Sequence, residues 1–330
     1  MDETLLMRPY HVLCLFCSLD REIPGPRGEA IATLRDSIAE SPDRPVTLQC
    51  TAEDVYAYQH PGPAADTPEG AEYNRKRDLD LLHKLDLAPG STLPARTLLY
   101  RVLKAIPTVA GICGYDTTTA EAWQGCARAR SGHYERGIQG GIQALIPPRD
   151  PEECAREKQT SVAEMEREQE LRIRPHVIMC AVCQYGKTTG ALEPLAADNI
   201  VEFIAIIRRH PAVPVTLAQG ADWMICASCP QRVPELNACV NVAGSGGLSN
   251  EKRDLDLLQQ LGLTYETTMP GGELLLLIFD RVASTAAICQ RDNPALSVWW
   301  DGCGESNLRQ GNEGYARGRE LLARELRDGV

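Results

Sequence analysis

The chain has no long run of lysine or arginine, no apolar stretch of membrane-spanning length and no basic leader, and each absence closes a class of function. Its 45 acidic residues outweigh 34 basic ones, giving a formal net charge of -11. Such a surface repels phosphate backbones and anionic lipid heads, so neither nucleic acid nor a membrane is an expected partner. A protein redox partner or a small molecule is expected instead. The longest apolar run, Leu274 to Phe279, is too short to cross a bilayer and reads as a buried helix. The opening MDETLLMRPYHVLCLFC carries acid where a signal peptide carries base and lacks a small-residue cleavage site, which predicts a cytoplasmic protein. No Ser/His/Asp or Cys/His order marks a nucleophile. The string GKTTG at 186–190 lacks the upstream glycine of a phosphate loop, because Ala181 stands there.

What is present is cysteine, 13 in 330 residues. An odd count in a reducing compartment points to metal or redox chemistry and away from a disulfide framework. The length suffices for two domains, and 43% hydrophobic with 24% charged residues is the profile of an ordinary globular chain.

An internal repeat organises the rest. KRDLDLL occurs at 76–82 and again at 252–258, RPYHVLCLFC from Arg8 answers RPHVIMCAVC from Arg174, and PVTL occurs at Pro45 and Pro214. The offset between partners grows steadily along the chain, as it does when loops are inserted into two copies of one domain. Each copy predicts an amphipathic helix (Ile31, Leu34, Ile38; Ile200, Phe203, Ile207), a short PVTL strand, and a helix whose leucines at 79, 82 and 85, or 255, 258 and 261, form an apolar face. A third helix is expected to start with Thr92 or Thr268 as N-cap and Pro94 or Pro270 in its first turn. The fold class is therefore α+β, mainly helical: two tandem homologous domains with short strands, related by a pseudo-twofold axis. The boundaries read as 1–149 and 174–330, joined by a charged, solvated linker helix over 150–173.

Superposing the copies makes Cys14, Cys17, Cys113 and Cys126 coincide with Cys180, Cys183, Cys289 and Cys303. Each set is a C-x2-C near the start of a copy and a second pair near its end, so folding must gather distant segments around a shared centre. Four thiolates suit a [4Fe-4S] cluster or a zinc ion. The apolar frames VLCLFC and IMCAVC favour the cluster, which needs a dry pocket, whereas zinc knuckles follow their cysteines with polar or glycine turns. Trp123 and Trp300, in WQGC and WDGC, are placed to shield a cluster from water. The second copy adds Cys226, Cys229 and Cys239, where the first has Ala57 and His60. These three leave a metal one ligand short, to be filled by a distant residue or by a substrate. His11 and His176 precede the cysteines and are weighed as core histidines or as groups serving the metal; Arg8 and Arg174 as caps or neighbours of sulfur; Tyr134 and Tyr315 as packing residues; Cys50 and Cys154 as ordinary thiols.

The second half, through RPHVIMC, ADWMICASCP, Cys239, KRDLDLLQQLGL, GGELLLLI, Cys289 and Cys303, resembles a family of small cysteine-rich bacterial and archaeal domains of unknown function. That family opens with R-P-H-H-L-L-C, continues through D-D-I-C-x-x-C-P, and is suspected of binding iron-sulfur clusters. The resemblance implies metal binding and groups Cys180 with Cys226, Cys229 and Cys239. The family's paired histidines are split here, Tyr10-His11 in one copy and His176-Val177 in the other. Together these readings predict two or three [4Fe-4S] clusters serving electron transfer or redox sensing. The alternatives are an iron-sulfur enzyme with a substrate at an incompletely ligated cluster, and a zinc-stabilised binding module.

Overall fold

A computed structural model describes residues 4–50, 52, 56, 67–240, 247–289, 299 and 309–328. The chain divides into two compact units, Met1–Pro147 and Pro148–Val330, each mainly helical around a small sheet.

The first unit runs β1 (Leu5–Met7), α1 (His11–Asp20), α2 (Pro26–Glu40), β2 (Pro45–Leu48), α3 (Ala71–Leu85), β3 (Thr92–Pro94), α4 (Ala95–Ala105) and a short α5 (His133–Gly137). Strand β2 is central, parallel to β1 with Leu5 opposite Val46, and antiparallel to β3 with Thr47 opposite Thr92. Its proline sits at the strand end opposite Pro94, where a missing N–H costs the ladder least. Val46 and Leu48 point from this strand into a core built with Val12, Leu13 and Phe16 of α1, Leu81, Leu82 and Leu85 of α3, and Leu98, Leu99 and Val102 of α4.

The second unit opens with α6 (Pro151–Met165) and β4 (Leu171–Ile173), then α7 (Pro175–Lys187), α8 (Ile200–Arg209), β5 (Pro214–Leu217) and α9 (Trp223–Cys226). A two-stranded ribbon follows, β6 (Arg232–Val233) and β7 (Ala238–Cys239), then α10 (Leu248–Leu261), β8 (Thr268–Pro270), α11 (Gly271–Arg281), α12 (Ala286–Cys289) and α13 (Arg309–Asp328). Here β5 is central, parallel to β4 and antiparallel to β8, with Thr216 opposite Thr268. Pairing, direction and the threonine register thus repeat those of the first sheet.

Three sequence expectations need correction. Thr92 and Thr268 do not cap helices: each lies in the third strand, where its hydroxyl meets Thr47 at 2.7 Å or Thr216 at 2.5 Å, and the cross-strand pair takes the role assigned to the cap. Leu79 and Leu255 are 40% and 51% exposed, because α3 and α10 turn Leu81 and Leu257 inward together with a buried aspartate. The segment 150–173 is no free connector. Asp150 caps α6 by accepting the Glu152 N–H, the helix buries Cys154, Ser161 and Met165, and Leu171–Ile173 is the edge strand of the second sheet. The charged pattern was that of a solvated outer face, and the small buried stripe beneath it went unread. The segment 274–279 does lie in a buried helix, α11, and among the described residues no helix is long and apolar enough to cross a membrane.

Helices pack closely where side chains are missing. A Cβ on Gly137 would fall 2.0 Å from the Phe16 carbonyl oxygen of α1, and one on Gly318 of α13 would fall 2.1 Å from the Val182 carbonyl oxygen of α7. Tyr134 and Tyr315, three residues before these glycines, are buried as expected and donate to the Ile106 and Val282 carbonyls at 2.7 and 2.9 Å. Gly318→Ala should therefore lower the unfolding free energy of the second unit by about 1–3 kcal/mol, measured by chemical denaturation of the full chain; an unchanged midpoint would show that α13 can withdraw at no cost.

Candidate metal centre

The N-terminal turn of α1 carries no side-chain cap of its own, and neither does that of α7. An aspartate from the KRDLDLL helix supplies the acceptor in each unit. Asp78 Oδ1 accepts the Tyr10 N–H at 3.0 Å while its Oδ2 accepts Arg8 Nε and Nη2 at 2.8 and 2.7 Å. Asp254 does the same with the His176 N–H at 2.9 Å and Arg174 Nε and Nη2 at 2.8 and 2.6 Å. Both pairs are buried.

One difference separates them. Tyr10 stands where the second unit has His176, whose Nδ1 lies 2.6 Å from Asp254 Oδ1. Burial pushes both carboxyls up. Asp78 reaches about 6 against the opposing charge of Arg8, whereas at Asp254 the added His176 contact and Arg174 more than offset burial and hold the carboxyl below its usual value. His176 is itself lowered, by burial against the pull of Asp254, which makes it a neutral imidazole donating Nδ1–H to the carboxylate.

Helix α1, fixed in this way, presents Cys14 and Cys17 one turn apart. Cys113 and Cys126 come from a distant segment stitched by the Cys126 N–H to the Cys113 carbonyl at 2.9 Å, and by Tyr73, whose hydroxyl donates to the Ile112 carbonyl at 3.4 Å and accepts the Cys126 N–H at 3.2 Å. Gly125 has φ 82°, and a Cβ there would fall 2.9 Å from the Cys113 carbonyl oxygen, so glycine in WQGC permits this approach. Burial lifts Cys14 to about 11, Cys17 to about 12 and Cys113 well above the ordinary thiol value; charge on Cys126 adds to each, and charge on Cys14 adds to Cys17 and Cys113. Opposing them is the guanidinium of Arg77 from α3, which acts on Cys14 and Cys113. Arg27, bound to Glu69 at 3.0 Å, acts on Cys14 as well. A cleft of about 850 Å³ reaches the group, lined by Glu69, Gly125, Cys126 and Arg130 among others.

His11, one turn before Cys14, is no backbone-satisfied core histidine: its Nδ1 is buried without a hydrogen-bond partner, and burial with the nearby Arg77, Arg8 and Arg27 lowers it to about 3. The Tyr10 hydroxyl is likewise buried and unpartnered, and burial, helped by charge on Cys14, raises it to about 12. Trp123 forms a short 3-10 turn and is only half-buried.

In the second unit Cys226, Cys229 and Cys239 come together, each of the first two pushed up by burial and then by charge on its neighbours. Asn250 Nδ2 donates to Cys239 Sγ at 3.3 Å, and Arg174 reaches both Cys226 and Cys239 electrostatically. Helix α6 and the residues just before it hold this loop: Arg149 donates to the Ala227 and Cys229 carbonyls at 2.8 and 3.0 Å, and the Trp223 indole N–H bonds Glu157 of α6. Cys180 and Cys183 lie on α7 and Cys289 ends α12; Tyr315 of α13 feels the charge of both Cys183 and Cys289. Trp300, Cys303, Ala57 and His60 lie outside the described residues. Cys14, Cys17, Cys113, Cys126, Cys226, Cys229 and Cys239 are free thiols, and Cys50 and Cys154 are buried ones. Among the described residues no three His, Cys, Asp or Glu side chains are arranged to hold a metal ion as they stand.

Sequence reasoning missed the polar half of the repeated helix. Asn74, Arg77 and Asp78, like Asn250, Arg253 and Asp254, are buried, with Arg77 and Arg253 donating to Asn74 and Asn250 Oδ1 at 2.5 and 2.6 Å. The signal was the identical N-x-K-R-D string, read only for its leucines. No family model, curated protein or solved structure matches the chain, so the functional reading rests on its own residues.

Asp78→Ala leaves Arg8 charged and buried, and should destabilise the first unit by about 3–5 kcal/mol, more than the Arg8→Met/Asp78→Leu double replacement. Denaturation of the three proteins checks this; equal losses would mean that the pair contributes packing alone.

Proposed function

We propose that the chain is an iron-sulfur protein of electron transfer or redox sensing, with a cluster of the [4Fe-4S] type held in the first unit by Cys14, Cys17, Cys113 and Cys126. The observation that carries this reading is electrostatic coupling among free thiols from distant segments: charge on Cys126 adds to the upward push that burial gives Cys14, Cys17 and Cys113, and charge on Cys14 adds to that on Cys17 and Cys113. Neutral thiols gain little from such crowding, while thiolates sharing a cationic centre gain a great deal. The donor set fits: all sulfur, largely dry, with the buried guanidinium of Arg77 beside it. When bound, the cluster supplies one-electron chemistry without an open coordination position. The chain's own part is to exclude water, to hold the two pairs of sulfurs at fixed separation through α1 and the Tyr73 stitch, and to expose one edge of the group at the Cys126 cleft, where a protein redox partner or small molecule would exchange electrons. Cys180, Cys183, Cys289 and Cys303 are the corresponding set in the second unit, supported by the common effect of Cys183 and Cys289 on Tyr315.

A second reading has its own support. The grouping of Cys226, Cys229 and Cys239 beside Arg174 and Asn250 favours an incompletely ligated centre at which a small substrate binds, making the protein an iron-sulfur enzyme. A zinc-stabilised binding module is the reading that remains if the thiols hold no iron.

Anaerobically purified protein should be brown, with sulfide and iron in equal amounts, and Cys113→Ser should remove one cluster's share of iron while leaving the rest. Colourless protein carrying zinc would end the iron-sulfur reading. Cys226→Ala should abolish turnover of a bound substrate with the first-unit iron intact; loss of all metal would mark Cys226 as a structural residue.

A further inference from the structure

We propose that Arg77 is the counter-charge of the first unit's thiol centre and sets its reduction potential, a proposal that rests on the iron-sulfur reading of Cys14, Cys17, Cys113 and Cys126. Arg77 is 1% exposed. Its guanidinium carbon lies 3.4 Å from the centroid of the Tyr10 ring and 5.2 Å from that of Tyr73, so two aromatic faces fix it in place. Its hydrogen bonds go to neutral oxygens, Asn74 Oδ1 at 2.5 Å and Thr67 Oγ1 at 3.4 Å, and Nε has no partner.

The nearby carboxylates are already engaged. Asp78 is held by Arg8 and the Tyr10 N–H, and Glu69 by Arg27. Among the described residues Arg77 forms no ion pair, yet burying a guanidinium is costly unless an anion stands beside it. The acidic groups that act on it are Cys14, Tyr10, Cys113 and Glu69; Glu69 is already bound to Arg27, the Tyr10 hydroxyl is pushed up to about 12, and the two thiols are the groups a metal would deprotonate. Ligation strips their protons, and the negative charge then appears where Arg77 lacks it. A fixed cation beside thiolates also offsets the charge of an added electron, which makes the centre easier to reduce. The Tyr10 hydroxyl and His11 Nδ1 are also buried without a hydrogen-bond partner, and the charge of Arg77 acts on both.

The test uses the full chain as wild type, Arg77→Met and Arg77→Lys, reconstituted anaerobically. Iron content is read first, then the midpoint potentials by dye-mediated titration. In Arg77→Met, with iron retained, one redox wave should move to more negative potential while the others stay, and Arg77→Lys should bring it back most of the way. Iron lost from Arg77→Met but kept by Arg77→Lys supports the same requirement for charge. Thermal unfolding of the metal-free proteins gives an independent arm: Arg77→Met should raise the midpoint by removing an unpaired buried cation. An unmoved potential with iron intact, loss of iron from both variants, or a lowered metal-free midpoint in Arg77→Met would each overturn the proposal. A wild type that takes up no iron would end the iron-sulfur reading and the potential with it, and the metal-free comparison would then decide by itself whether Arg77 lacks a counter-charge.

Discussion

The buried pairing of an arginine at the strand-to-helix junction with an aspartate on the KRDLDLL helix governs what each unit can build. Arg8 meets Asp78 across 70 residues, and Arg174 meets Asp254 across 80. The carboxylate does two jobs, balancing the guanidinium and accepting the first free N–H of the cysteine-bearing helix. Helix position, rotation and charge are thereby set by one side chain. A hydrophobic substitute would fill the space but leave the helix start uncapped and free to turn, and a turn of a few tens of degrees would move Cys14 away from Cys113. The pair's value lies in where it points the thiols more than in net stability, since desolvation consumes much of its Coulomb gain.

The sequence was a good guide to element order and a poor one to rotation. Both PVTL strands and the helices on Ile31–Ile38 and Ile200–Ile207 stand where periodicity put them. The error over Leu79 and Leu255 arose because a leucine count treats every apolar position alike, while the helix had to bury Asp78 or Asp254 next to its partner and accepted an exposed leucine in exchange. Thr92 and Thr268 misled for a related reason: a threonine ahead of a proline suits a cap or a strand end equally, and the choice was made by Thr47 and Thr216, far away in sequence. Segment 150–173 looked like a connector because its charges face water, and nothing local reveals that Arg149 and Trp223 tie its helix to a cysteine loop some 80 residues on.

For the candidate site, matching the two halves singled out Cys14, Cys17, Cys113 and Cys126, because a cysteine recurs at each of those positions. It could not find Tyr73, whose hydroxyl bonds lie 39 and 53 residues away in sequence, nor Arg77 and Asn74, which sit on a helix face that reads as ordinary. The histidines were misjudged in opposite directions. His176 looked like a core residue and turned out to be bound to a carboxylate; His11 looked the same and has a buried nitrogen with no partner.

The exchange of Tyr10 for His176 explains why the units need not act alike. In the second unit the imidazole adds a donor to Asp254 and helps hold its carboxyl below the usual value, while Arg174, bound to that carboxylate, also acts on Cys226 and Cys239. In the first, Asp78 has no such help, and the tyrosine instead lays its ring beneath Arg77. A cation acts on sulfur in both units, Arg77 on Cys14 and Cys113 in the first and Arg174 on Cys226 and Cys239 in the second. The histidine goes with the unit that carries three further cysteines, and the tyrosine with the unit in which Arg77 acts on Cys14 and Cys113. Tyr10 and His176, at matching places before the cysteine-bearing helices, thus give the two buried Arg–Asp pairs different neighbours: an aromatic ring against Arg77 in one unit, an added donor to the carboxylate in the other.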